Sequence, residues 1–134
     1  MNWDGNGYTQ APAEPFVATI RVPLETNPLC LNKGLHRMAE SRLKKQWRTF
    51  AAKEAARFPS LTKVDVTLTW FVKVNRTRDE DNMYRLIKSL CDGLIDAGLV
   101  HDDAPKYMGK KCRIEKAPAG EAKAYMELRI EEIR

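Results

Sequence analysis

The sequence has few of the residues that mark cross-linked, zinc-binding or membrane-spanning proteins. Its three cysteines, Cys30, Cys91 and Cys112, are widely separated and form no Cys-x-x-Cys pair, so they indicate neither a disulfide framework nor a structural zinc site. No stretch approaches the roughly 20 consecutive apolar residues that a membrane span requires, and the first residues lack the basic and then apolar pattern of a secretory signal. We therefore expect a cytoplasmic protein with no membrane partner.

Residues for nucleophilic catalysis are also scarce. The two histidines, His36 and His101, are too far apart in sequence to suggest a catalytic pair, and no serine motif is present. A single imidazole next to Asp102 and Asp103 does not favour a transition metal, because an oxygen-rich set of ligands prefers Mg²⁺ or Mn²⁺. We therefore expect any hydrolytic chemistry to depend on carboxylates and a metal ion.

Basic residues are in excess, and they are concentrated in one segment. The chain of 134 residues has a formal net charge of +5 and a pI near 9.2. Residues 33–57 contain eight basic and two acidic side chains, an imbalance that exceeds what solubility needs. This distribution favours a polyanionic partner. The basic residues of the segment are Lys33, Arg37, Arg42, Lys44, Lys45, Arg48, Lys53 and Arg57.

The hydrophobic pattern predicts a single α/β (α+β) domain in which a mixed sheet packs against two helices. Residues 1–14 show no periodicity and are expected to form a flexible N-terminal tail before a domain at 15–134. The predicted order is β-α-β-α-β-β, with strands at 16–24, 61–74, 106–116 and 122–133 and helices at 36–58 and 80–97. Apolar residues at spacings of three to five, including Met38 and Trp47, predict an apolar stripe on the first helix, and Gly98 is predicted to form a left-handed cap at the end of the second helix. The last two strands are expected to form a closing pair joined by a turn, although residues 122–133 could instead form a short helix.

Carboxylates cluster at the start of the second predicted helix. Asp79 and Asp81 straddle the junction of strand and helix, where alternate residues of an extended segment project to the same side. Repulsion between such close carboxylates is usually offset by a hard divalent cation with oxygen ligands, such as Mg²⁺ or Mn²⁺. The alternative is structural, since Asp79 could be a helix N-cap and Asp81 a first-turn acid that complements the helix dipole.

Helix geometry relates other charged residues to this cluster. Lys88 and Asp92 return to within roughly 20° of the direction of Asp81 around the helix. Asp92 lies about 16 Å from Asp81 along the axis, so it is expected to pair with Lys88 at i+4 spacing and not to share the metal. Asp102 and Asp103 follow the helix. Only one of them should enter a shared site, because adjacent strand residues point opposite ways; alternatively, they form a simple acidic turn.

These motifs resemble those of the RusA-type Holliday-junction endonucleases, small dimeric resolvases of bacteria and their phages. The similarity is carried, in order, by Asp79-Glu-Asp-Asn82, Lys88-Ser-Leu-Cys-Asp92-Gly-Leu94, Asp96-Ala-Gly98 and Asp102-Asp103. It extends more weakly to Leu31-Asn-Lys-Gly-Leu-His36. The resemblance covers about residues 16–134, so the domain at 15–134 is expected to be RusA-like.

The resemblance implies a set of acidic site residues. Asp79, Asp81 and Asp103 match the metal-binding and catalytic acids of the family, and Asp102 is a further candidate metal ligand. Asp92 matches another recurring acid, which is expected to support the site without binding the metal.

The resemblance also implies which cations contact DNA. Lys88 matches the active-site lysine of the family. Some members place that lysine four residues after the second acid, where this chain has Arg85, so either side chain could act on the phosphate. The other expected DNA-binding residues are Arg76 and Arg78 near the scissile bond, and Lys44, Lys45 and Arg48 on the predicted helix at 36–58, the basic helix.

The implied activity is Mg²⁺-dependent, structure-selective cleavage of DNA, for which Mn²⁺ is expected to substitute. A four-way junction has approximate twofold symmetry, so a homodimer would present two equivalent sites and nick two strands symmetrically. Two alternatives stay open. One is a flap- or fork-directed nuclease of the same fold, and the other is a non-catalytic nucleic-acid-binding domain whose acids are only caps and turn residues.

Overall fold

The protein consists of two helices and a four-stranded sheet. The computed structural model describes residues 14–29, 36–74 and 83–134. Within these ranges the elements are β1 (Val17–Val22), α1 (Arg37–Ala55), β2 (Val64–Val72), α2 (Tyr84–Asp96), β3 (Met108–Lys116) and β4 (Tyr125–Glu132). The predicted β-α-β-α-β-β order and the α+β class are therefore confirmed, with most elements somewhat shorter than predicted.

β4 lies in the interior of the sheet, whose order is β1-β4-β2-β3. It pairs antiparallel with β1 and with β2, whereas β3 pairs parallel with β2. The prediction that the last two strands form a closing pair is therefore wrong, because β2 separates them. The reason is that α2 carries the chain across the sheet, and such a crossover places β3 beside β2 in the parallel sense.

One face of the sheet and the inner sides of both helices form a single core. Neighbouring strands bring Ile20, Leu128 and Leu68 into one buried row, as the alternation of half-buried strands requires. The helices add buried side chains at helical spacing: Trp47, Ala51 and Ala55 from α1, and Leu86, Ile87, Leu90 and Leu94 from α2. No helix in the described ranges has the length and apolar character that a membrane span needs.

The apolar stripe predicted for α1 does not include Met38. This side chain is 66% exposed, although it had the spacing of an apolar position. Nine residues separate Met38 from the buried Trp47, and at about 100° per residue the two point to opposite sides of the helix. Met38 is therefore a surface residue at the start of α1.

α1 and α2 approach each other closely at Gly93. A Cβ atom at this position would overlap the carbonyl oxygen of Arg48 and lie 2.8 Å from the Cβ of Ala51, both on α1. The absence of a side chain at Gly93 therefore allows the observed separation of the two helices, and this separation sets the width of the groove between them.

We expect Gly93→Ala to destabilise the protein by about 1–3 kcal/mol, the usual range for overpacking a core. The added methyl group meets the backbone of α1, which cannot rotate away, so the helices must move apart. Urea unfolding measures the change. Gly109→Ala is the matched control, because its new methyl group would meet the flexible end of the Asp65 side chain. Equal losses in the two variants would contradict this account.

Candidate active site

A groove of about 730 Å³ lies between α1 and α2. Five cationic and two acidic side chains line it. Lys44 and Lys45 are exposed and form no ion pair with any part of the chain that the structure describes. The fold thus brings the predicted DNA-binding residues of the basic helix beside both candidates for the phosphate-binding residue. The lining consists of Ser41, Lys44, Lys45, Arg48 and Thr49 of α1, and Tyr84, Arg85, Lys88, Ser89, Asp92 and Asp96 of α2.

Two arginine–carboxylate pairs connect the helices at opposite ends of this groove. Arg85 of α2 pairs with Glu40 near the start of α1. Arg48 of α1 binds Asp96 at the end of α2 through two hydrogen bonds of 2.6 and 2.8 Å. Because the contacts follow the same order along both helices, from Glu40 to Arg48 in α1 and from Arg85 to Asp96 in α2, the two helices run in the same direction.

Lys88 connects α2 to the segment that follows it. Its Nζ donates to Oδ1 of Asp92 at 3.0 Å, which is the predicted i+4 pair, and to Oδ2 of Asp103 at 2.6 Å. Lys110 of β3 extends this network. Its Nζ donates to the backbone carbonyl of Asp103 at 3.1 Å and lies 3.7 Å from Oδ2 of the same residue. Asp103 therefore receives ammonium groups from a helix and from a strand.

The turn after α2 explains why Asp103 reaches Lys88. Gly98 has a φ of +83°, the left-handed conformation that the sequence predicts at the end of this helix. Leu99 is buried, and its carbonyl accepts a 2.6 Å hydrogen bond from the segment before β2. Asp102 is exposed, and its Oδ1 accepts the backbone N–H of Asp103 at 2.7 Å. Of the two adjacent acids, only Asp103 contacts Lys88.

The ion pairs change the acidity of both partners. The hydrogen bond to Asp103, together with the one to Asp92, raises the pKa of Lys88 well above its usual range. The hydrogen bond from Lys88 in turn lowers the pKa of Asp103, so both groups are charged at neutral pH. Cys91 lies between Lys88 and Asp92 in sequence, but burial raises the pKa of its thiol to about 12. Its thiol therefore stays protonated and is not a nucleophile.

Part of the predicted site lies outside the described residues, namely Asp79, Asp81, Arg76 and Arg78. Among residues 14–29, 36–74 and 83–134, no group of three or more His, Cys, Asp or Glu is placed to hold a metal ion. Asp102 and Asp103 are the predicted ligands within these ranges. They supply carboxylate oxygens, the donors that Mg²⁺ prefers.

Three partners of the predicted residues were not predicted from the sequence: Lys110, Asp96 and Glu40. Lys110 shares one face of β3 with Met108 and Cys112, and only 14% of its side chain is exposed. A lysine at an apolar position of a strand is a signal that sequence alone contains. Asp96 and Glu40 have no such signal, because each pairs across to the other helix and the register between helices is not visible in either periodicity.

Known proteins offer little similarity to this chain. No protein family and no curated protein sequence matches it. One similar solved structure is the hydrogenase maturation protein HypE in complex with ATP, with 11% identity and a TM-score of 0.36. The match covers 95% of this chain and 32% of that chain, so this chain spans about a third of the length of its neighbour.

The ion pair between Arg48 and Asp96 should make the stability of the protein depend on pH. The hydrogen bond from Arg48 lowers the pKa of Asp96, so its stabilising contribution is complete above the unfolded value of about 3.9 and is lost as the pH falls through the folded pKa. We expect the unfolding temperature of the wild type to approach that of Asp96→Asn below about pH 4. The neutral-pH difference should stay under about 1 kcal/mol, because solvent screens this half-exposed pair.

Thermal unfolding followed by circular dichroism measures this convergence. Added salt should shrink the difference at neutral pH, since it screens an exposed ion pair. A gap between the wild type and Asp96→Asn that stays constant from about pH 7 to about pH 2 would contradict the assignment.

Proposed function

We propose that this protein is a Mg²⁺-dependent, structure-selective endodeoxyribonuclease that resolves Holliday junctions by paired, symmetric nicking. The observation that carries the proposal is the 2.6 Å contact between Lys88 and Asp103, which lie fifteen residues apart in sequence, beside a groove with five cationic side chains. The family resemblance casts these same two residues as the active-site lysine and a metal-binding acid. A lysine fixed by acids next to a cationic groove suits a phosphodiester substrate.

Asp79, Asp81 and Asp103 would hold the Mg²⁺, with Asp102 as an adjacent candidate, and Mn²⁺ would substitute. The fit rests on the oxygen donors of these side chains. Both ammonium contacts of the Asp103 carboxylate are made to Oδ2, so neither occupies Oδ1. When bound, the ion would make a water molecule more acidic and neutralise charge on the phosphate.

Lys88 is suited to contact the scissile phosphate. Its raised pKa keeps it protonated, and Asp92 and Asp103 fix its ammonium group from two sides. It therefore presents a positioned positive charge to a phosphate or leaving-group oxygen. Arg85 also lines the groove, but Glu40 engages its guanidinium. We assign Lys88 to the scissile phosphate and Arg85 to the flanking backbone.

The remaining cations of the groove would position the DNA. Lys44 and Lys45 carry exposed charges without an acidic partner in the described residues, so phosphates can replace the counterions around them. Arg48, Arg76 and Arg78 would add backbone contacts. Such contacts carry no sequence information, so the shape of the branched DNA would be the feature that the protein selects.

A homodimer completes the proposed reaction. One site cuts one strand, whereas resolution of a four-way junction requires cuts in two strands of like polarity. A twofold-symmetric dimer presents two equivalent sites to the approximate twofold axis of the junction. The junctions would be those formed in the cytoplasm of a bacterial or phage-infected cell.

A second candidate is a nucleic-acid-binding domain without catalysis. The ion pairs of Asp103 favour it, because Lys88 and Lys110 neutralise this carboxylate without a metal. Asp102 likewise has a structural role as the acceptor of a backbone N–H. In this case the groove would bind DNA, and no metal would support cleavage.

The test compares cleavage of a synthetic four-way junction, a flap and a linear duplex, each with Mg²⁺ or with EDTA. We expect Mg²⁺-dependent nicks at symmetry-related positions of the junction and little cleavage of the other two substrates. A preference for the flap would favour a nuclease of the same fold with a different substrate. Junction binding without cleavage in either Mg²⁺ or Mn²⁺ would favour the non-catalytic domain.

Substitution of exposed lysines tests whether the groove is the surface that binds DNA. The double variant Lys44→Ala, Lys45→Ala should flatten the dependence of log affinity on log salt by about two, since each lost phosphate contact lowers the slope by about one. The matched variant Lys63→Ala, Lys123→Ala removes two exposed lysines outside the groove lining and should bind like the wild type. Equal slopes for the two double variants would exclude the groove as the DNA surface.

A further inference from the structure

Tyr84 is an aromatic side chain in an otherwise cationic groove. It begins α2 and lines the groove beside Arg85, one helical turn before Lys88. Its side chain is 55% exposed, so the core does not require its ring. Single exposed apolar side chains are common on protein surfaces. The surroundings of Tyr84, and not its exposure alone, indicate a ligand.

The charges around Tyr84 are those of a polyanion-binding surface. Lys44 and Lys45 have no acidic partner in the described chain, and Arg85 and Lys88 lie on the same helix as the ring. Single-stranded nucleic acid is bound by aromatic rings, which stack on its bases, and by cations without acidic partners, which contact its backbone. The groove contains both kinds of side chain.

The size of the groove also favours a small segment of nucleic acid. Its volume of about 730 Å³ falls within the range of about 300–1,000 Å³ that is usual for sites that enclose small molecules. The ion pairs of Glu40 and Arg48 bridge the two helices at positions about 12 Å apart along α1. A space of this size can hold a few nucleotide-sized groups.

We propose that this groove binds the unstacked nucleotides at the branch point of DNA, with Tyr84 stacked on a base and Lys44 and Lys45 on the backbone. The inference rests on the proposed function in taking branched DNA as the ligand. It adds that the unpaired part of the substrate is recognised directly. In a duplex the neighbouring base pairs cover each base face, so Tyr84 can stack only where a base is unstacked.

The position of Tyr84 next to Lys88 gives this contact a consequence for selectivity. A base held on the ring would place the adjoining phosphate among the cations of the groove. Linear duplex DNA could still bind through its phosphates, but it would lack the stacking contact. The affinity for branched DNA over duplex DNA therefore depends on the ring of Tyr84.

The test uses a four-way junction with 2-aminopurine at the branch point and a linear duplex with the same label, both in EDTA so that no cleavage occurs. We expect Tyr84→Leu to weaken binding of the junction by about 5- to 100-fold, as loss of one base–aromatic stack does. Binding of the duplex should stay unchanged. Tyr84→Phe keeps the ring and should bind the junction like the wild type.

Met38→Ala is the matched control, because Met38 is another exposed apolar residue in the first turn of a helix but does not line the groove. It should bind the junction like the wild type. Wild-type affinity of Tyr84→Leu for the junction, or equal losses for the junction and the duplex, would overturn the proposal. Thermal unfolding checks that Tyr84→Leu is folded, as its exposure leads us to expect.

The result in EDTA also separates this inference from the proposed nuclease activity. If the wild type fails to cleave in Mg²⁺ but Tyr84→Leu loses junction affinity, the nuclease is excluded and the stacking site stands. If the wild type cleaves junctions and Tyr84→Leu binds them normally, the stacking site is excluded and the nuclease stands.

Discussion

The candidate site depends on the ammonium group of Lys88 held between Asp92 and Asp103. One contact is local to α2, and the other joins this helix to the segment that follows it. Through Asp103 the network reaches Lys110 of β3, so helix, turn and strand share one set of charges. The carboxylate of Asp103, which follows α2, is thereby held against Lys88 of the groove. In the sequence, α2 begins soon after Asp79 and Asp81.

The groove combines fixed and available charge. Arginine–carboxylate pairs bridge the helices at its two ends, and Gly93 allows the backbones to lie close together. Between these bridges Lys44 and Lys45 project without acidic partners among the described residues. The result is a positively charged groove between two helices that ion pairs connect. Such a groove suits an anionic ligand.

Features that depend on residues close together in the sequence could be predicted, whereas contacts between elements far apart in the sequence could not. Alternation and helical spacing are local, so the order of elements, the turn at Gly98 and the pair of Lys88 with Asp92 could all be anticipated. The pairing of β3 with β2 depends on where the crossover lands, and the partners of Arg48 and Arg85 depend on the register between two helices. Neither property is written in the periodicity of a single element.

The central claim is that acids before and after α2 form one metal site, and Mn²⁺ binding measured by electron paramagnetic resonance tests it most directly. The wild type should bind Mn²⁺, and Asp81→Asn and Asp103→Asn should each weaken binding by at least about tenfold, since even outer partners of a metal have effects of that size. Asp65→Asn, at an exposed aspartate of β2, should bind as the wild type does. Equal affinity in all four proteins, or no Mn²⁺ binding by the wild type, would contradict the account.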